Sequence, residues 1–546
     1  MNRRDVLRWM GATGLVGATD RLSLGSGLHG MFGARLPWGS PSFEPDVELS
    51  LTAEPGEARI LPGAPTRVWR FTGAVLRGPQ ESLQVIPNSY LGPVIRLRRG
   101  QHVRIRFANK LSESTIVHWH GLDVPSAMDG HPRTVIDPGA EYVYEFEVIN
   151  RAGTYWYHPH PHERTGSQVY RGLAGMLVIS DDEESAAALP DGAEELVCVL
   201  QDRRFDDGNQ LAYVGSGMMD RMQGFLGDRI LVNGQERPTL SLATRAYRLR
   251  LLNGSSARVY KLAWDDSTPM TIVGGDGGLL ERPLRQAYVT LAPAQRADVI
   301  LDLSERAVGA TLALRSAPYA AAEVSMAGMG MGGPMGRGMG RGMGGGMMQS
   351  AVPNGAPLQL LTVRVERREA SRFRLPDRLS TFDSAFTRSA DGPSRRITLT
   401  AQRGQWLLGG RTFEMMETVP EENVSAGATQ VWELVNTTGM MGMEMAHPIH
   451  MHGRQFRVLD RKSAAGTRIE AGSVREGLVD AGWRDTVLVL PGQTVRLQVQ
   501  FTRYPGLYLY HCHILDHAEG GLMTMVEVGA RAAEHENHGM SSHDHH

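Results

Sequence analysis

Cysteine is nearly absent from this chain, with only Cys198 and Cys512 among 546 residues. No disulfide framework can be built from two thiols, and one Cys198–Cys512 bridge is the most they permit. Long uncharged apolar runs are missing too, so no segment reads as a helix that crosses a bilayer. Neither sign of charge dominates: 57 Lys and Arg against 59 Asp and Glu leave a formal net charge of −2. That balance gives no global basic field for nucleic acid or an anionic membrane. Long helical periodicity is scarce as well.

What is present is a succession of short strands and turns. PVIRLRRGQHVRIRF (93–107) alternates apolar and charged residues around Gly100, as two half-buried strands do. YRLRLLNGSSARVYKLAW (247–264) and QTVRLQVQFTRYPGLYLYHC (493–512) repeat the style. Many short strands over this length predict an all-β chain of sandwiches or barrels. Polar, loop-like stretches place boundaries near 185 and 375, which predicts units over 41–185, 186–375 and 376–530. MAGMGMGGPMGRGMGRGMGGGMM (326–348) cannot supply a core and reads as an inserted loop, and the histidine-rich tail 531–546 reads as disordered. The leader MNRRDVLRWMGATGLVGATDRL resembles a twin-arginine export signal, with Arg3 and Arg4 ahead of a weakly apolar stretch. On that reading residues 1–40 lie outside the fold and the protein is periplasmic or secreted; an ordinary basic N-terminus is the alternative, since Asp20 and Arg21 break the stretch.

Most of the 19 histidines fall in four clusters: HWHG (118–121), HPHPH (158–162), HPIHMHG (447–453) and HCHILDH (511–517). Side chains at i and i+2 of a strand share a face, so each cluster sends two imidazoles one way. Two clusters come from the first unit and two from the last, and they converge only if those units pack face to face. Cys512 points away from the face that carries His511 and His513. There it needs other partners, for which His447 and His517 are candidates; a thiolate with two imidazoles is the trigonal set of an electron-transfer copper. Any one HxH is equally a pair of satisfied core or surface histidines. Zinc is a rival metal, but it is usually content with four ligands and does not call for so many. A bridge from Cys512 to Cys198 is disfavoured, because ELVCVLQ reads as a buried strand of another unit.

The four clusters closely resemble the copper motifs of the three-domain multicopper oxidases, the group of laccases and bacterial cuprous oxidases. GTYWYHPHPHERTGSQVYRGLAGMLVI (153–179), GDRILVNGQERPTL (227–240) and RADVILDL (296–303) look like family segments. The resemblance implies three cupredoxin-like Greek-key β-sandwich domains, the middle one without ligands. It also implies four copper ions. The type 1 ion would take His447, Cys512 and His517, and the type 2 ion His118 and His450. One type 3 ion would take His120, His158 and His513, and the other His160, His452 and His511.

Two positions depart from the family pattern. The type 1 axial place is Leu522, with Met523 next, and loss of a thioether there raises the reduction potential; a one-residue bulge would bring Met523 in instead. The acid that often follows the last histidine is Ala518, so Asp129, which matches a family acid near the type 2 ion, is the expected proton donor and Glu519 a second candidate. Dioxygen is the implied acceptor. The donors are phenols or aromatic amines, favoured by Leu522, or Cu(I), favoured by the insertion and by Met443, Glu444 and Met445 beside His447. They are expected to meet His447 or His517 at the surface. A monomer with no nucleic-acid partner and no membrane span is expected. A copper-sequestering protein for copper tolerance, without turnover, is the alternative from another class.

Overall fold

The computed structural model describes residues 40, 42–213, 222–321, 324, 352–382, 395–402, 405–418, 423–436, 445–464 and 472–529. The leader, the Met/Gly insertion, Met443, Glu444 and the tail lie outside these residues. The described residues form six sheets of four, five, seven, five, five and five strands, which pair into three sandwiches. Among the described residues helices are short; the longest, Thr165–Tyr170 and Asp182–Ala187, have six residues each. No helix among the described residues is long and apolar enough to cross a membrane.

One plan recurs three times. In each sandwich one sheet holds a parallel pair: Val47–Ala58 with His102–Asn109, Glu195–Arg203 with Ala246–Asn253, and Arg395–Gln402 with Thr429–Asn436. The facing sheet holds another: Val94–Arg98 with Gly175–Ser180, Thr239–Ala243 with Leu358–Arg367, and Asn423–Ser425 with Met523–Gly529. Parallel neighbours cannot be joined by a tight turn, so the chain crosses between sheets, in Greek-key fashion. The strand pairs legible in the sequence are such crossings. Val94–Arg98 and His102–Asn109 flank Gly100, whose φ of +90° a side chain would strain, and they lie in different sheets. Ala246–Asn253 and Tyr260–Trp264, and Gln493–Gln500 and Gly506–Cys512, are divided in the same way.

The repeat also locates the histidines. The second sheet of the first sandwich runs Gly175–Ser180, Gly153–Pro159, Val117–His120, and that of the third runs Met523–Gly529, Gly506–Cys512, His447–Met451. Equivalent strands of the middle sandwich, Thr311–Ser316 and Tyr260–Trp264, read TLALRS and YKLAW and carry no histidine. Val117–His120, Gly153–Pro159 and His447–Met451 are buried at every residue. One face of each meets its own core and the other meets the opposite sandwich, so the usual in/out alternation disappears. Cys198 and Cys512 are free and belong to different sandwiches.

Candidate metal centres

Register across the hairpins sets the first contacts. His118 lies opposite His158 in the first sandwich, and His450 opposite His511 in the third. The two sandwiches then stack imidazole on imidazole: His118 on His452, with ring centroids 3.7 Å apart, and His120 on His450, 3.6 Å apart. Four groups of ligand atoms result, each within 4.8 Å: His118, His120 and His450; His120, His158 and His513; His160, His452 and His511; and His447, Cys512 and His517. Asp129 forms a fifth with His118 and His452.

Hydrogen bonds set which nitrogen faces inward. Nδ1 of His118 donates to the carbonyl of Asp129 (2.6 Å), that of His158 to Pro159 (2.9 Å), that of His450 to Asp485 (2.9 Å) and that of His511 to Cys512 (2.8 Å). His452 Nδ1 lies 2.8 Å from Asp129 Oδ2. Each of these rings therefore turns the Nε2 lone pair to the centre. Burial pushes His158, His447 and His511 down to about 3 and holds His118, His120, His160, His452, His513 and His517 well below the ordinary histidine value, so they stay neutral, as ligands must be. Asp129 is fully buried; burial raises its carboxyl well above the usual range, against the pull of Arg454. Burial would raise Asp485 likewise, but Arg296 and His120 hold it well below that range.

The inward nitrogens fit metal ions. His118 Nε2 lies 3.3 Å from His450 Nε2, and His511 Nε2 lies 3.2 Å from the Nε2 atoms of both His160 and His452. Neutral rings that aim lone pairs at one another repel unless a cation lies between them, and ligands about 2.0–2.1 Å from one ion sit roughly 3–3.5 Å apart. Among the described residues, buried His513 has no hydrogen-bond partner for either ring nitrogen. The sulfur set fits equally: Cys512 Sγ is 3.6 Å from His447 Nδ1 and 3.7 Å from His517 Nδ1. Bonds of about 2.0 Å to nitrogen and 2.3 Å to sulfur in a near-trigonal array produce that spacing. Three neutral-to-anionic donors of this kind suit copper.

Family-model comparison matches residues 69–184, 208–311 and 388–532, in each case to a model described as multicopper oxidase. The chain is 30% identical to the multicopper oxidase mco of Staphylococcus aureus over 80% of its own length and 82% of that protein. The chain belongs to the multicopper oxidases. It is also similar to the laccase of Bacillus stratosphericus, at 28% identity over 86% of this chain and 92% of that one. Among solved structures, the McoA multicopper oxidase of Aquifex aeolicus superposes with a TM-score of 0.71 at 32% identity, over 90% of this chain and 97% of that one. As a multicopper oxidase, this chain is an all-β protein of three cupredoxin-type domains and a copper-dependent oxidoreductase with dioxygen as acceptor.

Several site residues sit where the sequence alone could not place them. Leu522 is fully buried in the apolar cluster that contains Cys512, while Met523 packs with Leu509, Met525 and Phe413. Met445 is buried in the third-domain core. Glu519 accepts a hydrogen bond from Gly166 N at 2.6 Å. The two rings beside Cys512 are not at the surface: His517 is fully buried and His447 is 2% exposed, a correction to the expected donor contact. Trp406 covers both, at 4.2 and 5.1 Å between centroids, and His517 Nε2 donates to the carbonyl of Met222 at 3.2 Å. Trp406, Met222, Asp485 and Arg296 escaped sequence reading. One signal was available for Asp485: WRDTVLVL sets two charges inside an apolar run, which asks for buried partners.

Proposed function

We propose that this multicopper oxidase holds four copper ions, one by His447, Cys512 and His517 and three by His118, His120, His158, His160, His450, His452, His511 and His513, and oxidises phenols, aromatic amines and Cu(I). Copper at these places supplies one-electron acceptance beside the sulfur and four-electron reduction of dioxygen to water among the imidazoles. The carrying observation is the position of Cys512: its Sγ faces two imidazoles at 3.6 and 3.7 Å, while its chain neighbours His511 and His513 face the other group. One residue thus joins two sites through covalent bonds on both sides. Burial raises the Cys512 thiol, so a bound metal must displace its proton.

The chain's other residues prepare the exchange. Asp129 keeps a proton within reach of the His118–His452 side, with Oδ2 on His452 Nδ1 and Oδ1 3.6 Å from His118 Nδ1, without a hydrogen-bond partner among the described residues. A cavity of about 880 Å³ is lined by residues of the first and third domains, among them Arg454, whose Nε donates to the His452 carbonyl at 2.8 Å. Donors deliver electrons across Trp406 and the Met222 carbonyl, without touching an imidazole. Placement in the periplasm or outside the cell, through the twin-arginine leader, completes the reading.

The test is copper loading followed by oxygen consumption with a phenol and, separately, with Cu(I). Uptake with either donor, a blue thiolate-to-copper absorption, and loss of both in Cys512→Ser are expected. Bound copper with no oxygen uptake from any reductant would leave sequestration as the function.

A further inference from the structure

The middle domain supplies no histidine to either centre, yet one of its side chains reaches the heart of the larger one. Arg296, on the strand Arg296–Asp302, is fully buried and has every donor engaged. Nη1 donates to Asp485 Oδ1 at 2.9 Å and to the Ala294 carbonyl at 2.8 Å; Nη2 donates to Asp485 Oδ2 and to the Asp276 carbonyl; Nε donates to the Thr154 carbonyl at 2.9 Å. A guanidinium gripped by three carbonyls presents its fork in one orientation, and a bidentate partner must match it.

That partner, Asp485 of the third domain, faces His120 of the first: Oδ1 lies 3.1 Å from His120 Nε2. Thr486 Oγ1 is 3.3 Å from the same nitrogen, and its hydroxyl hydrogen is already donated to Asp485 Oδ1 at 2.9 Å. Both neighbours of His120 Nε2 are therefore acceptors, and the nitrogen must carry the hydrogen. His120 is thereby inverted relative to His118, His158, His450, His452 and His511, which hold hydrogen on Nδ1. Its free lone pair is on Nδ1, which faces His158 Nε2 at 3.4 Å.

We infer that Arg296 is a positioning residue: by clamping Asp485 it fixes the inverted tautomer of His120 and so builds a metal site from a domain that holds no metal. The inference rests on the copper reading above only for its consequence, because the tautomer exists in the metal-free chain. The clamp also explains how one arginine ties three domains together at the point where two of them share ions.

The experiment uses full-length, metal-free protein labelled with 15N-histidine, with the His120 signal assigned by its loss in His120→Gln. Wild type should report hydrogen on His120 Nε2 and on Nδ1 of the five carbonyl- or carboxylate-bound rings. Arg296→Lys, which keeps the charge and loses the fork, and Asp485→Asn, which keeps the shape, should each mix the His120 tautomers. Copper affinity at the imidazole centre should fall roughly 10–100-fold, as loss of such support does elsewhere, while the blue absorption of Cys512 persists. An unchanged His120 tautomer with full copper in both folded variants would overturn the clamp. Wild-type protein that has the inverted tautomer but binds no copper would sink the copper reading and leave the clamp standing.

Discussion

The indole of Trp406 lies 4.2 Å from the imidazole of His517, centroid to centroid, with the planes tilted by 34°. Trp406 is itself 4% exposed, so it separates the sulfur-bound site from solvent rather than offering a pocket. Trp406→Ala should open the edges of His447 and His517. Large-to-small replacement of a buried aromatic costs about 3–5 kcal/mol, visible as a lower melting temperature. The same variant should raise kcat/KM for a bulky phenol, since the donor comes closer to the ligand rings. Unchanged selectivity between phenol and Cu(I) would mean that donors enter elsewhere.

Leu522 shares its cluster with Cys512, and its carbonyl accepts from Cys512 N at 3.0 Å. Leu522→Met conserves volume and should cost less than about 1.5 kcal/mol. A thioether brought to the axial side favours Cu(II), so redox titration of the blue band should find a lower potential. If the potential stays where it was, the Leu522 side chain does not face the metal.

Asp129 is the carboxyl in hydrogen-bond contact with an imidazole of the larger centre on the side away from Arg296. Asp129→Asn keeps the shape and removes the transferable proton. Oxygen reduction should slow by about 10²–10⁴-fold, the range for a lost general acid, with the blue band intact. Stopped-flow reoxidation of the reduced enzyme measures this step alone. A normal reoxidation rate would assign proton supply to another group, for which Glu519 is the next to replace.

Metal-free protein should lose stability on acidification. His158, His447 and His511 are pushed down to about 3 by burial, below the value of about 6.5 for an unfolded histidine. Between those values the unfolded chain binds protons that the folded chain refuses, so stability is greatest above about pH 6.5 and drains away toward pH 3. Each such ring contributes a slope of about 1.4 kcal/mol per pH unit. Thermal unfolding of the metal-free protein should therefore move to lower temperature between pH 7 and pH 5. A flat profile over that range would show that the rings charge without unfolding.

Local sequence determined a good deal here. A period of two along a strand decides which histidines share a face and sends Cys512 the opposite way from His511 and His513, whatever the rest of the chain does. Alternation around Gly100 likewise marks two strands. Neither property says which sheet a strand joins, and the strands that follow one another in these stretches lie in different sheets. Only the tertiary structure decided that Arg296 meets Asp485 and Asp485 meets His120, because those residues lie on three domains and no short-range pattern links them. It also decided the burial of His447 and His517, since Trp406 comes from a distant strand of the same domain and Met222 from a stretch of the middle unit, and both approach only in the folded chain. Local steric preference acts on neighbours along the chain, whereas these contacts depend on how whole domains press together.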